Sequence, residues 1–240
     1  MIEAQQLIIP EHIHGYPDIA FGGYVAGLLA AHASAETVRV DFRRVVNVGK
    51  PVRLATAGDH AALTSLDGTV LIEAAPSALT LDPPPAPSWE VAKSATETAL
   101  TSPKRQITDC YGRGVACPPG RGLRLFPWST PEHDLIAAAW TPDPNLADAS
   151  GELPPEVVWA ALDCPGGIAA WVQSDMGQGA FTAALTATQL RPVLAGAEHI
   201  SHAWAIHHDG RKHTVGVALS TADGELCALA EALWIEPKPA

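Results

Sequence analysis

Two stretches decide how this chain folds. The first is Pro17-Asp18-Ile19-Ala20-Phe21-Gly22-Gly23-Tyr24-Val25-Ala26-Gly27-Leu28-Leu29-Ala30-Ala31-His32. The second is Pro155-Glu156-Val157-Val158-Trp159-Ala160-Ala161-Leu162-Asp163-Cys164-Pro165-Gly166-Gly167-Ile168-Ala169-Ala170-Trp171. Each has helical length, opens on proline and is apolar all round. A helix without a polar face is buried in a core. Short β-branched runs follow each stretch. After the first come Val38 to Val45, Val52 to Thr56, Ala61 to Leu66 and Thr69 to Ala75. After the second come Phe181 to Leu190, His199 to His207, Lys212 to Ser220 and Glu225 to Ile235. The last pair of runs in each set is joined by Asp-Gly, at Asp67-Gly68 and Asp223-Gly224, a strong hairpin signal. Gln6 to Ile9 and Leu123 to Phe126 are expected as added edge strands. The chain therefore predicts an α+β protein made of one unit repeated, a buried helix followed by an antiparallel sheet.

The join lies between the two units. Asp82-Pro83-Pro84-Pro85-Ala86-Pro87 is a stiff extended linker, and Ser88 is placed to cap a short crossover helix. Residues 101–122 show little periodicity and are expected as a long loop. The boundaries follow: residues 1–82 for the first half, 83–121 for the join and 122–240 for the second half.

Composition narrows the function. The 240 residues carry 15 Lys+Arg against 26 Asp+Glu, a formal charge of −11, which opposes binding to nucleic acid. No apolar run spans a bilayer. Met1 to Gln6 lacks the features of a secretory leader, so a cytoplasmic location is expected. Four scattered cysteines do not make a disulfide scaffold or a paired zinc site. No metal or cofactor is expected, and no Gly-x-Ser-x-Gly, Rossmann or phosphate-loop signature is present. Exposed sheet edges make a homo-oligomer a reasonable expectation.

The pattern of one wrapped helix, twice in one chain, resembles the double hotdog fold, and more narrowly the acyl-CoA thioesterase II-like family. The resemblance rests on Phe21-Gly22-Gly23 at the first helix, on Leu162-Asp163-Cys164 where that family has Leu-Asp-His, and on the closing strand Ala230 to Ile235. It implies an acyl-CoA or acyl-carrier thioester as partner and Asp163 as the reacting carboxylate. It also implies a glutamine, where Ala230 stands, and a threonine near Ala205 to His207, where none is present.

Chemistry assigns further candidates. Thioester hydrolysis needs a polarised carbonyl and an activated water. Backbone N–H groups at a helix start suit a developing oxyanion, and glycine permits close approach. Phe21, Gly22 and Gly23 fit this use, as do Gly166 and Gly167; the same glycines equally permit tight helix packing. Asp163, set among apolar residues, is either a base of raised pKa or the N-cap of a helix beginning after it. His12 and His14, in Glu11-His12-Ile13-His14-Gly15-Tyr16-Pro17, resemble the approach to the helix in hotdog hydroxyacyl dehydratases. That resemblance implies a His12–Asp163 pair and a dehydratase or hydratase as the alternative activity. In His207-His208-Asp209-Gly210-Arg211-Lys212-His213, Asp209-Gly210 marks a hairpin rather than a metal cluster. His207, Arg211 and Lys212 are candidates for contacts to the substrate and its phosphates, with Arg43 and Arg44 as alternatives. Cys110 and Cys117 lie in the long loop, and Cys164 is expected to pack as a small apolar residue. A non-catalytic acyl-CoA-binding protein is the third reading.

Overall fold

The computed structural model describes residues 3–104, 107–131 and 135–238. In chain order the elements are β1 (Glu3–Ile8), α1 (Gly22–Ala30), β2 (Thr37–Phe42), β3 (Pro51–Ala57), β4 (His60–Thr64), β5 (Val70–Pro76), α2 (Trp89–Thr101), β6 (Trp128–Ser129), β7 (Ile136–Trp140), α3 (Pro155–Ala161), α4 (Cys164–Gln173), β8 (Phe181–Gln189), β9 (His199–Asp209), β10 (Lys212–Thr221) and β11 (Leu226–Ile235). All described strands join one sheet in the order β1-β3-β4-β5-β2-β8-β11-β10-β9-β7-β6. Around the central antiparallel β2–β8 pair the order is the same in both directions: β1, β3, β4, β5 and β2 correspond to β7, β9, β10, β11 and β8. Register at the centre runs from Thr37 opposite Thr188 to Asp41 opposite Ala184. No helix among the described residues is long and apolar enough to cross a membrane.

Helix α1 packs on β2, β4 and β5, and α4 packs on β9, β10 and β7. Helix α2 covers the opposite face of the second half. Its Ala92 meets Ala137 and Ile200, while Ile136 and Ala138 of the same strand β7 join the main core on the α4 side. Alternate residues of one strand thus feed two layers. This explains why β9 begins with five consecutive buried residues instead of alternating. Ser88 caps α2 as its sequence indicates, its side chain accepting from the Val91 N–H.

Three elements differ from the sequence expectation. The first apolar stretch becomes helical only at Gly22. Before it, Asp18 has φ of 62° and Ile19 bridges Asn47, which hold Pro17 to Phe21 in a loop. The second stretch is two helices broken at Leu162-Asp163. Pro165 lacks an N–H and its ring would clash with the preceding turn, so it is accommodated only by starting a new helix at Cys164. Leu123 to Phe126 is not a strand. Arg124 has φ of 51°, and Leu123 and Leu125 spend their N–H groups on the carbonyls of Tyr111 and Gly112. The outer strands of that half are β7 and β6.

Helices α1 and α3 cross at unusually short range, and glycine is the reason. A Cβ on Gly23 would lie 2.7 Å from the Trp159 carbonyl oxygen and 2.8 Å from the Ala160 Cα. One on Gly27 would lie 2.5 Å from both the Glu156 Cα and the Pro155 oxygen. These neighbours are backbone and cannot rotate away. Gly27→Ala is therefore expected to cost about 3 kcal/mol, at the upper end of overpacking effects, read as a lower urea midpoint at unchanged slope.

Candidate active site

The break between α3 and α4 puts Asp163 at a bend inside the core, 3% exposed. It does not cap the helix that follows it. Its Oδ2 instead accepts the N–H of Gly23, at 2.8 Å, in the first turn of α1. Its Oδ1 accepts the hydroxyl of Thr182, at 2.7 Å, from β8. Helix α1 has no side-chain cap of its own at Phe21. A carboxylate from the second half thus caps the helix of the first, 140 residues away in sequence. Burial pushes the Asp163 carboxyl up to about 6, against the downward pull of the Thr182 and Gly23 hydrogen bonds.

Asp163 lines a cavity of about 570 Å³. Its walls are largely apolar, including Ile19, Val25, Phe42, Ile72, Ile168 and Trp171. Phe21, Gly22 and Gly167 also line it. The N–H of Gly22 makes no hydrogen bond among the described residues, whereas that of Gly23 is taken by Asp163. Gly22 therefore offers a free donor at the helix start on the cavity side, and Gly23 serves close packing. Gly166 is set against Val215 and Val217, with Trp234 beside it and over Gly167, so this pair seats a side chain more than it offers a donor. Tyr16 lines the cavity as well, its hydroxyl donating to the Ala180 carbonyl.

The structure separates other candidates from this site. Neither His12 nor His14 lines the cavity, and among the described residues no histidine does. His14 instead faces Asp109, its Nε2 3.3 Å from the carboxylate. The His12–Asp163 pair is not assembled. His207 lies exposed on β9, and Arg211 donates to the Glu236 carbonyl at the β9–β10 hairpin end; neither reaches the cavity. Arg43 and Arg44 do line it, together with Lys104 and Arg113. Ala230 is buried in the sheet opposite Ala187, and residues 205–207 are outside the cavity. The threonine that meets the carboxylate is on β8. It was hidden in Phe181-Thr182-Ala183, where nothing local distinguishes it from other strand threonines. Among the described residues no group of His, Cys, Asp and Glu is arranged to hold a metal ion.

Neither a family model nor a curated protein sequence matches the chain. Solved structures do. The chain is similar to a candidate thioesterase from Novosphingobium aromaticivorans, with TM-score 0.67 and 11% identity over 98% of this chain and 96% of the other. It is similar to an acyl-CoA thioesterase II from Mycobacterium marinum, with TM-score 0.57 and 12% identity over 100% and 97%. A protein from Alicyclobacillus acidocaldarius described as having a hotdog fold matches with TM-score 0.55 and 14% identity over 99% and 94%. The fold is a hotdog fold. At these identities the likeness is one of fold, and the chemistry rests on the cavity.

The raised Asp163 pKa has a consequence for stability. A carboxyl whose folded pKa lies above its ordinary 3.8 favours folding in its neutral form. That advantage is complete below about pH 4 and is lost as pH rises through about 6, leaving a buried charge that costs about 3 kcal/mol. Asp163→Asn keeps an acceptor for Gly23 without the charge. Its stability is expected to exceed wild type at pH 7.5 and to converge on it by pH 4, measured by urea unfolding at both values.

Proposed function

We propose that this protein is an acyl-thioester hydrolase with a tandem hotdog architecture. In this reading residues 1–82 and 122–240 are two hotdog halves, each with its central helix, and 83–121 join them. The reacting site lies where the halves meet. The observation that carries the reading is Asp163, a buried carboxylate held by Gly23 of one half and Thr182 of the other, on the wall of a large apolar cavity.

The acyl chain occupies the apolar walls, and the thioester carbonyl oxygen points to the Gly22 N–H at the positive end of α1. Ionised Asp163 accepts a proton from a water, which attacks the carbonyl carbon. The tetrahedral intermediate then expels the thiolate, which leaves as the free thiol after taking a proton. Thr182 holds one carboxylate oxygen, so the carboxylate keeps its orientation while it ionises. Arg44, Lys104 and Arg113 line the same cavity, with Arg44 and Lys104 exposed, and are suited to the phosphates of a CoA moiety. Arg43 is already paired with Glu73 at 2.8 Å. Among the described residues no histidine lines the cavity, which weighs against the dehydratase alternative.

The test is thiol release from short, medium, long and aromatic acyl-CoAs. Turnover on at least one class is expected, with Asp163→Asn reducing kcat by 100-fold or more. Saturable binding of every class with no release would replace hydrolase by binding protein. The kcat/KM profile should rise with pH through about 6, because the carboxylate must be charged to act. Thr182→Val removes a hydrogen bond that holds the pKa down, so the rising limb should move to higher pH.

A further inference from the structure

The cavity wall beside Asp163 contains a chemistry that hydrolysis does not use. Cys110, in the loop before β6, and Cys164, the first residue of α4, both line the cavity. The backbone N–H of Arg113 donates to the Cys110 sulfur at 3.2 Å, and the Cys164 side chain is the neighbour that most lowers the Cys110 thiol. The loop rests directly on Cys164. A Cβ on Gly112 would lie 2.8 Å from the Cys164 Sγ and 2.8 Å from the Phe21 Cζ. The loop is held in place by Tyr111 N–H to the His14 carbonyl at 2.8 Å and Leu125 N–H to the Gly112 carbonyl at 3.0 Å. The other two cysteines are not in this cavity.

We propose that Cys110 and Cys164 are a reversible redox pair that, on oxidation by a peroxide, joins the loop to α4 through a disulfide and disables the adjoining site. Two donors and the neighbouring Arg113 hold the Cys110 thiol down to about 6, so it is the attacking partner. Burial and the Cys110 sulfur push Cys164 up, so it stays a thiol. The Cys110 thiolate attacks a peroxide oxygen, breaking the O–O bond and giving a sulfenic acid. With hydrogen peroxide, hydroxide leaves and takes up a proton as water. The Cys164 sulfur then attacks the sulfenic sulfur, loses its proton and displaces a second water. The sum is two thiols and one peroxide to one disulfide and two waters. A bond of about 2.05 Å between the sulfurs ties the loop to Cys164, the residue after Asp163, and so perturbs the carboxylate's hold on the Gly23 N–H.

The site effect rests on the hydrolase reading, whereas the disulfide itself is tested without it. Folded protein is treated with hydrogen peroxide, free thiols are alkylated in denaturant, and non-reducing peptide mapping locates the bond. Loss of two of the four thiols, a Cys110–Cys164 peptide, and reversal by dithiothreitol are expected. Cys110→Ser and Cys164→Ser should each abolish the bond, and Cys117→Ser and Cys227→Ser should not. Four retained thiols, a Cys110–Cys117 bond, or over-oxidation of Cys110 without a crosslink would overturn the pair. Acyl-CoA hydrolysis by the oxidised protein should fall at least fivefold and return on reduction, with Cys164→Ser insensitive to peroxide. A mapped bond with undiminished turnover would overturn the disabling effect. A mapped bond in a protein that never hydrolyses thioesters would leave the redox pair standing and remove the hydrolase.

Discussion

The free backbone donors at the start of α1 need an acceptor, and the chain supplies one from far away. Phe21 offers no side-chain cap, so Asp163 of the second half provides the charge that ends the helix. This one contact dictates much else. It requires α3 to stop short, a proline to restart the chain as α4, and α1 to approach α3 closely enough for Gly23 and Gly27 to meet backbone. It also buries a carboxylate, which raises its pKa and makes it a better base than an exposed aspartate would be near neutral pH. In the proposed hydrolase the contact that caps a helix also poises the base.

The cavity is the complement of that close packing. The helices touch along the glycine positions and leave space on the side of Gly22, Phe42 and Thr182. Apolar side chains from both halves fill the walls, and cations gather among the lining residues from the loops after β2 and α2. A chain with an overall charge of −11 still presents a locally basic approach to its cavity. Net charge therefore says little against a small phosphorylated ligand at this cavity.

Much of the fold was legible because it rests on local patterns. β-branched runs, Asp-Gly turns, Ser88 as a cap and two all-apolar stretches each carry their meaning within a few residues. Pro165 even marked the helix break, although its effect was to divide one expected helix into two. Asp163 was legible as a buried acid, but its partners were not. The Gly23 N–H and the Thr182 hydroxyl are identified only by tertiary contact. Histidines illustrate the converse. His12, His14 and His207 are chemically versatile wherever they occur, and only their position excludes them from the cavity. Cys110 and Cys164, 54 residues apart and in dissimilar contexts, gave no sign in the sequence that they line one cavity.

The central β2–β8 pair carries a kinetic meaning. It joins Thr37 to Thr188 and Val40 to Leu185, whereas β3–β4 and β4–β5 of the first half are close in sequence. Contacts between distant segments form slowly, because loop-closure entropy is lost before they repay it. Each half has hairpins that assemble locally, but the seam, and with it the bond from Asp163 to Gly23, requires both halves to be substantially formed. The site is then among the last features to appear as the chain folds and among the first to be lost when the halves separate. The seam joins segments of one chain, so the bond from Asp163 to Gly23 forms intramolecularly.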